Sequence, residues 1–190
     1  MKISYNKIRT ALKMTPLNKN IESDLKELYH AIVLDYPKFF KMDNLCKLGV
    51  LGTELLVRNN KNLFKNKANV GVVFQNKSSS LDSDIKHQSG IDNDTVSPAV
   101  FVYTLPNIVI GEISIKHQWQ SEGIFFLNNV LDYELLSQYS NILIKEKRTE
   151  INLVGWVELL NQELKLKLCV IESETSKENL EKIFANSFHE

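Results

Sequence analysis

The run Val70-Gly71-Val72-Val73-Phe74 constrains this chain more than any other feature. Five apolar residues stand together without a polar break, and three of them are β-branched. Such a run suits a strand covered on both faces, in the middle of a sheet flanked by helices. Ile124-Phe125-Phe126-Leu127 reads as a second buried strand and Ile151 to Leu160 as a third. Leu164, Leu166, Leu168 and Val170 then alternate with Lys165, Lys167, Cys169 and Ile171, which predicts a strand with a solvated lysine-bearing face.

Between these runs the spacing turns helical. Leu25, Leu28, Tyr29, Ile32 and Val33 share one face over 21–35, with Pro37 as the stop. Asp43 is placed to cap a helix carrying Leu45, Leu48, Leu51, Leu55 and Leu56, which Asn59-Asn60 ends. A short helix is expected over 81–88. Pro106 opens another, reaching about Trp119, whose Ile108, Val109, Ile110, Ile113 and Ile115 predict burial all round. Residues 132–145 and 174–184 give two more. At the start, Ile3 to Ile8 reads as a short strand and 11–20, with Pro16, as loop. Strands alternating with helices define an α/β layered domain, and no repeat or linker divides residues 1–190.

Composition narrows the function classes. Apolar residues at 43% supply a substantial core, while 23 basic and 23 acidic residues give no net field to attract nucleic acid or an anionic membrane. No run approaches the roughly 18 apolar residues of a membrane span. The start, Met1-Lys2-Ile3-Ser4-Tyr5-Asn6, has no secretory pattern, and Cys46 and Cys169 form no pair motif. A cytoplasmic protein with reduced thiols is the expectation.

Catalytic signatures are scarce. The sequence has no phosphate-cradling glycine loop, no Gly-x-Ser-x-Gly elbow and no metal-ligand spacing, so no cofactor and no metal are expected. His30, His87, His117 and His189 are scattered, and His117 reads as a boundary histidine near a helix end. Cys46 and Cys169 read as buried structural thiols. Ser78-Ser79-Ser80 lacks flanking glycines and reads as a polar loop, and Trp119 and Trp156 as core or interface anchors.

Four segments, in order, resemble the N-terminal half of the β-ketoacyl synthases. They are Phe40-Lys41-Met42-Asp43-Asn44-Leu45, the Val70 run with its serines, Ser97-Pro98 through Leu105-Pro106-Asn107, and Ile124–Leu127 with its following helix and Leu153-Val154-Gly155-Trp156-Val157-Glu158. The resemblance covers 40–158. It implies a thiolase-like layered half-fold with a mixed central sheet flanked by helices. In that family the strand matching 124–127 leads to a nucleophilic cysteine at a helix N-terminus. Here the turn reads Asn128-Asn129-Val130-Leu131-Asp132, and the histidine-bearing second half of the family's fold has no counterpart.

The implied function is a non-catalytic partner, akin to the chain-length factors of polyketide and aryl-polyene assembly or an accessory in fatty-acid synthesis. It would pair as a homodimer, or as a heterodimer with a ketosynthase, and it could meet an acyl carrier protein. Pro106, Asn107, Phe125, Phe126 and Asn128 are the candidates for a partner face or acyl pocket; filling the domain's own core is their alternative role. Charge at Phe125 or Phe126 would then weaken dimerisation and leave the fold intact. An acyl or lipid carrier, and a thiol enzyme using Cys46 or Cys169, are the other two readings.

Overall fold

The computed structural model describes residues 1–5, 11–15 and 20–185. The elements in chain order are β1 (Lys2–Tyr5), β2 (Ala11–Thr15), α1 (Ile21–Ala31), a 3-10 turn at Pro37–Lys41, α2 (Asn44–Asn59), α3 (Lys61–Phe64) and β3 (Val70–Asn76). They continue as α4 (Leu81–Asp92), α5 (Pro98–Val102), α6 (Ile108–His117), β4 (Gly123–Leu127), α7 (Tyr133–Lys145), β5 (Ile151–Leu160), β6 (Glu163–Ile171) and α8 (Lys177–Ala185).

One mixed sheet runs β1-β2-β6-β5-β3-β4. β3 lies parallel to β4 and β5, β6 antiparallel to β5, and β2 antiparallel to β6. All seven residues of β3 are buried, as its unbroken apolar run requires of a strand covered on both faces. One core layer joins α1, α2 and α6 to the sheet through Leu48, Leu51, Phe74, Ile113 and Leu166. The opposite layer joins α7 and α8 through Val73, Leu136, Val154, Cys169 and Leu180.

α2 is the central helix. Asp43 Oδ1 accepts the Cys46 amide at 2.9 Å and fixes its start. Its burial is nearly complete because glycine admits close neighbours: a Cβ on Gly49 would lie 2.3 Å from Val109 Cγ2 of α6. β5 and β6 come together still more tightly. Gly155 has φ +155, and a Cβ there would lie 2.0 Å from the Lys167 carbonyl oxygen and 2.9 Å from Leu168 Cα.

Several expectations need correction. Residues 11–15, expected as loop, form β2, which pairs with β6 across Ala11↔Cys169 to Met14↔Leu166. A sheet edge with free amides recruits this segment regardless of its polar flank. Of the strand expected at 3–8, Ile3 to Tyr5 lies in β1 and the rest falls outside the described residues, as do Pro16 and His189. α1 ends at Ala31, not at the approach to Pro37, because Val33 turns to φ 48 and the chain leaves the helix there. Pro37 instead opens the 3-10 turn.

α6 begins at Ile108 and is not buried all round: Val109, Ile110 and Ile113 face the core, while Ile115 is 62% exposed. β4 is not a buried central strand but one of the sheet's two edge strands, with Gly123 and Leu127 exposed and Ile124 to Phe126 half-buried. The lysine face of β6 is solvated at Lys165 and half-exposed at Lys167; Cys169 and Ile171 on the same face are covered by the second core layer.

Candidate functional site

β3 lies between β4 and β5, so the connections leaving the carboxyl ends of β3 and β4 run in opposite directions across the sheet. The chain reaches β4 on one side through α4, α5 and α6, and returns to β5 on the other side through α7. Such a switch point leaves a crevice beyond the strand ends, where open α/β sheets bind ligands. Here the crevice is a groove of about 420 Å³ lined by Lys77, Ser78, Asn129, Trp156, Glu158 and Lys165, among others.

Buried polar side chains build its walls. Gln75, fully buried at the end of β3, clasps the backbone of residue 132: the Asp132 amide donates to Gln75 Oε1 at 2.8 Å, and Gln75 Nε2 donates to the Asp132 carbonyl at 3.1 Å. Asn76 accepts the Ser79 amide at 2.9 Å and donates to the Ser79 carbonyl at 2.7 Å, holding Ser79 in its left-handed conformation. The serine triplet is therefore a structural turn into α4, and Ser80 Oγ donates to the Thr104 carbonyl. Glu158 Oε2 accepts the amides of Lys77 at 2.7 Å and Ser78 at 3.3 Å, while its Oε1 is buried with no partner among the described residues.

The turn after β4 faces this groove. The Asn128 amide donates to the Asn76 carbonyl at 2.9 Å, and Asn128 Nδ2 is buried without an acceptor among the described residues. Asp132 caps α7, its Oδ1 accepting the Leu135 amide at 3.0 Å. The amide end of α7, where an anionic nucleophile would be favoured, is thus occupied by the protein's own carboxylate.

Neither thiol is available in its place. Burial, reinforced by Asp43, pushes the Cys46 thiol well above the ordinary cysteine range, and burial alone does the same to Cys169. Neither residue lines the groove, nor does any histidine. The described residues present no activated nucleophile in the groove.

Of the residues singled out from the sequence, Phe125, Phe126 and Asn128 come together on β4 and its turn. Phe125 packs against the α2–α6 core, and Phe126 packs edge-on against Tyr139 of α7, with ring centroids 5.5 Å apart. Pro106 and Asn107 stand at the start of α6. Asn107 accepts the amides of Ile110 and Gly111 through its carbonyl, and its side chain is exposed. Trp156 lines the groove; Trp119 stacks between Phe64 and His117 in the core.

Sequence reasoning missed Gln75, Asn76 and Glu158. Their signal is a polar residue inside or directly ending an apolar strand, which demands a buried partner. It also missed a cluster at the carboxyl ends of α2 and α6. There buried Glu54 binds Arg58 at 2.5 Å and Lys116, with His117 Nε2 3.7 Å from its Oε2. Burial and the neighbouring Lys116 drive the His117 pKa down from 6.5 to about 4, so the imidazole is neutral at pH 7 and forms no ion pair there.

This cluster sets an acid response. The unfolded chain protonates His117 below pH 6.5, whereas the folded protein resists protonation down to about pH 4. Stability is therefore lost as pH falls through that window, by about 3 kcal/mol for this group. Glu54, held below the usual carboxylate range by Lys116 and Arg58 against its own burial, pulls in the same direction at lower pH. Urea midpoints measured from pH 7 to 4 are expected to fall more steeply for the wild type than for His117→Phe, which keeps the stack on Trp119. Parallel curves would contradict this origin.

No helix of the described residues is long and apolar enough to cross a membrane. No family model and no curated protein matches the chain. Solved structures do. The ishigamide ketosynthase/chain length factor aligns with a TM-score of 0.61 at 17% identity, over 70% of this chain and 44% of that one. A chain of the ketosynthase ApeO in complex with its chain length factor ApeC, from Xenorhabdus doucetiae, gives 0.56 at 11% identity, over 74% and 61%. A chain of AntDE:AntF, a type II polyketide synthase acyl-carrier protein in complex with its hexaketide-bound ketosynthase, gives 0.57 at 13% identity, over 96% and 65%. The fold is therefore the ketosynthase-type, thiolase-like fold, as the sequence resemblance implies. The chain spans between about two fifths and two thirds of the length of these neighbours.

Proposed function

We propose that this protein is a non-catalytic ketosynthase-like partner, an accessory of the chain-length-factor kind in fatty-acid, polyketide or aryl-polyene assembly. The observation that carries the reading is the amide end of α7. The resemblance puts a nucleophilic cysteine there, and this chain has Asn128, Asn129 and the capping carboxylate of Asp132. Carbon–carbon bond formation by acyl transfer needs a nucleophile at that point.

The partner surface is the outer edge of β4. Its inner edge is bonded to β3: the Val72 amide donates to the Glu122 carbonyl and the Asn128 amide to the Asn76 carbonyl, both at 2.9 Å. By the two-residue period, Ile124 and Phe126 complete that ladder, and Gly123, Phe125 and Leu127 direct their amides and carbonyls outward. A strand edge so exposed is a template for another strand. Exposed apolar side chains at Leu127 and Val130, and elsewhere at Phe101, Leu105 and Ile115, agree with an assembled state. Phe125 and Phe126 support this edge from behind, each half-buried in the protein's own core, so a charge at either tests folding as well as assembly. Residues 1–190 act in this reading as one cytoplasmic domain, with Asn128, next to the groove residue Asn129, as a candidate contact for an acyl chain.

The test is mass in solution by light scattering, alone and mixed with ketosynthases encoded by the same genome. A stable dimer, or a one-to-one complex with a synthase, is expected. A monomer that ignores every synthase would remove the partner reading.

A further inference from the structure

Helix α4 is turned inside out. A surface helix sets its apolar stripe against the core and its polar face to solvent. The one buried residue of α4 is polar, Ser83, whose Oγ donates to Asp43 Oδ2 at 2.6 Å. Leu81 and Ile85, one turn apart, stand exposed, Ile85 at 52%. α5 buries none of its residues and leaves Phe101 60% exposed. The two helices are joined: Ser80 Oγ donates to the Thr104 carbonyl, and the His87 ring centroid lies 5.3 Å from that of Phe101. Seven of the thirteen large apolar side chains exposed among the described residues fall between 81 and 105. Apolar surface so concentrated marks a docking face.

The charge on this face selects its occupant. Over 81–105 the aspartates Asp82, Asp84, Asp92 and Asp94 stand against a single lysine, Lys86. Lys86 is paired with Asp82 at 2.6 Å. Asp84, Asp92 and Asp94 have no ion pair among the described residues. Leu81, Ile85, Gln88 and Asp92 recur at helical spacing and form one stripe about 16 Å long, with Asp84 beside it. A second copy offering the same face, or an anionic bilayer, would set negative charge against negative charge.

We infer that α4 and α5 dock a basic, amphipathic segment of a partner protein. Its apolar side chains cover Leu81, Ile85 and Phe101, and its lysines or arginines meet Asp84, Asp92 and Asp94. About three helical turns of such a segment match the stripe. The inference does not rest on strand pairing at β4.

The full chain is titrated with a synthetic peptide of about 14 residues, leucine and lysine at helical spacing, and with its leucine–glutamate counterpart. Calorimetry and amide chemical shifts follow the binding at two salt concentrations. Saturable binding of the lysine peptide is expected, weakened by salt, with the largest shifts at 81–92 and 101–105. The glutamate peptide should bind at least about tenfold more weakly. Asp84→Asn combined with Asp92→Asn should weaken the lysine peptide by about three- to tenfold. No saturable binding, shifts centred elsewhere, or equal binding of both peptides would overturn the inference. Shifts on α4 and α5 that grow with protein concentration alone would assign the face to a second copy. Co-sedimentation with phosphatidylglycerol vesicles would assign it to a membrane. Either result would also overturn it. The wild-type shift map decides even if the variant fails to fold, and it is read on α4 and α5, separately from assembly at β4.

Discussion

Gly155→Ala is expected to lower stability by about 3–5 kcal/mol, a large share of the roughly 5–15 kcal/mol that holds a domain folded. At φ +155 a side chain is strained whatever the space, and here there is none, since the new Cβ would stand 2.0 Å from the Lys167 carbonyl oxygen. That oxygen is backbone in the middle of the longest ladder of the sheet, Asn152↔Ile171 to Leu160↔Glu163. It cannot yield as a flexible side chain would. Relief requires β5 and β6 to separate, which opens both core layers at once because Leu153 and Leu168 serve one and Val154 and Cys169 the other. Gly111→Ala is the control: a Cβ there meets nothing within 4 Å, and in mid-helix alanine should be neutral or stabilising by up to about 1 kcal/mol. Urea unfolding followed by circular dichroism separates the two. A Gly155→Ala protein within about 0.5 kcal/mol of the wild type would show that the strands do not meet as described.

Leu127→Pro is expected to abolish assembly while leaving the monomer folded. Leu127 is the last residue of β4, its side chain is 57% exposed, and its amide faces away from β3. Proline removes that outward donor and fills its place with a ring, while the inward Phe126 and Asn128 positions keep their bonds. A partner strand would lose one ladder bond and meet a bulky obstacle, weakening association by at least about 100-fold, roughly 2.7 kcal/mol. Light scattering gives the mass and circular dichroism the fold. A folded variant that still assembles would move the interface away from β4. An unfolded one would show that β4 depends on its outer edge for its own stability, and Leu127→Lys, which leaves the backbone donor intact, would then carry the test.

What the sequence disclosed and what it hid divide along physical lines. α2 was legible because its cap and its apolar spacing are both local: Asp43 and Cys46 are three residues apart. β3 was legible because a strand buried on both faces needs no polar alternation. β4 misled because an apolar run has the same appearance at the centre of a sheet and at an edge awaiting cover. α6 misled for a related reason, its exposed Ile115 being indistinguishable in sequence from the buried Ile113. β2 was invisible because its partner stands more than 150 residues away, at Cys169 to Leu166. The polar framework of the groove was hidden likewise, Gln75 reaching Asp132 across 57 positions and Lys77 reaching Glu158 across 81. No window of sequence contains both members of such a pair.

The pairing of β2 with β6 also dictates an order of events during synthesis. At roughly 5–20 residues per second, the segment that becomes β6 leaves the ribosome about ten to thirty seconds after β2 does. β3, β4 and β5 can align meanwhile, being nearer neighbours in the chain, but β2, paired only with β1, has no place in the sheet until the antiparallel return is made. The first segment translated is thus among the last to dock, and until then its edge that faces β6 is open to any chaperone or neighbouring nascent chain.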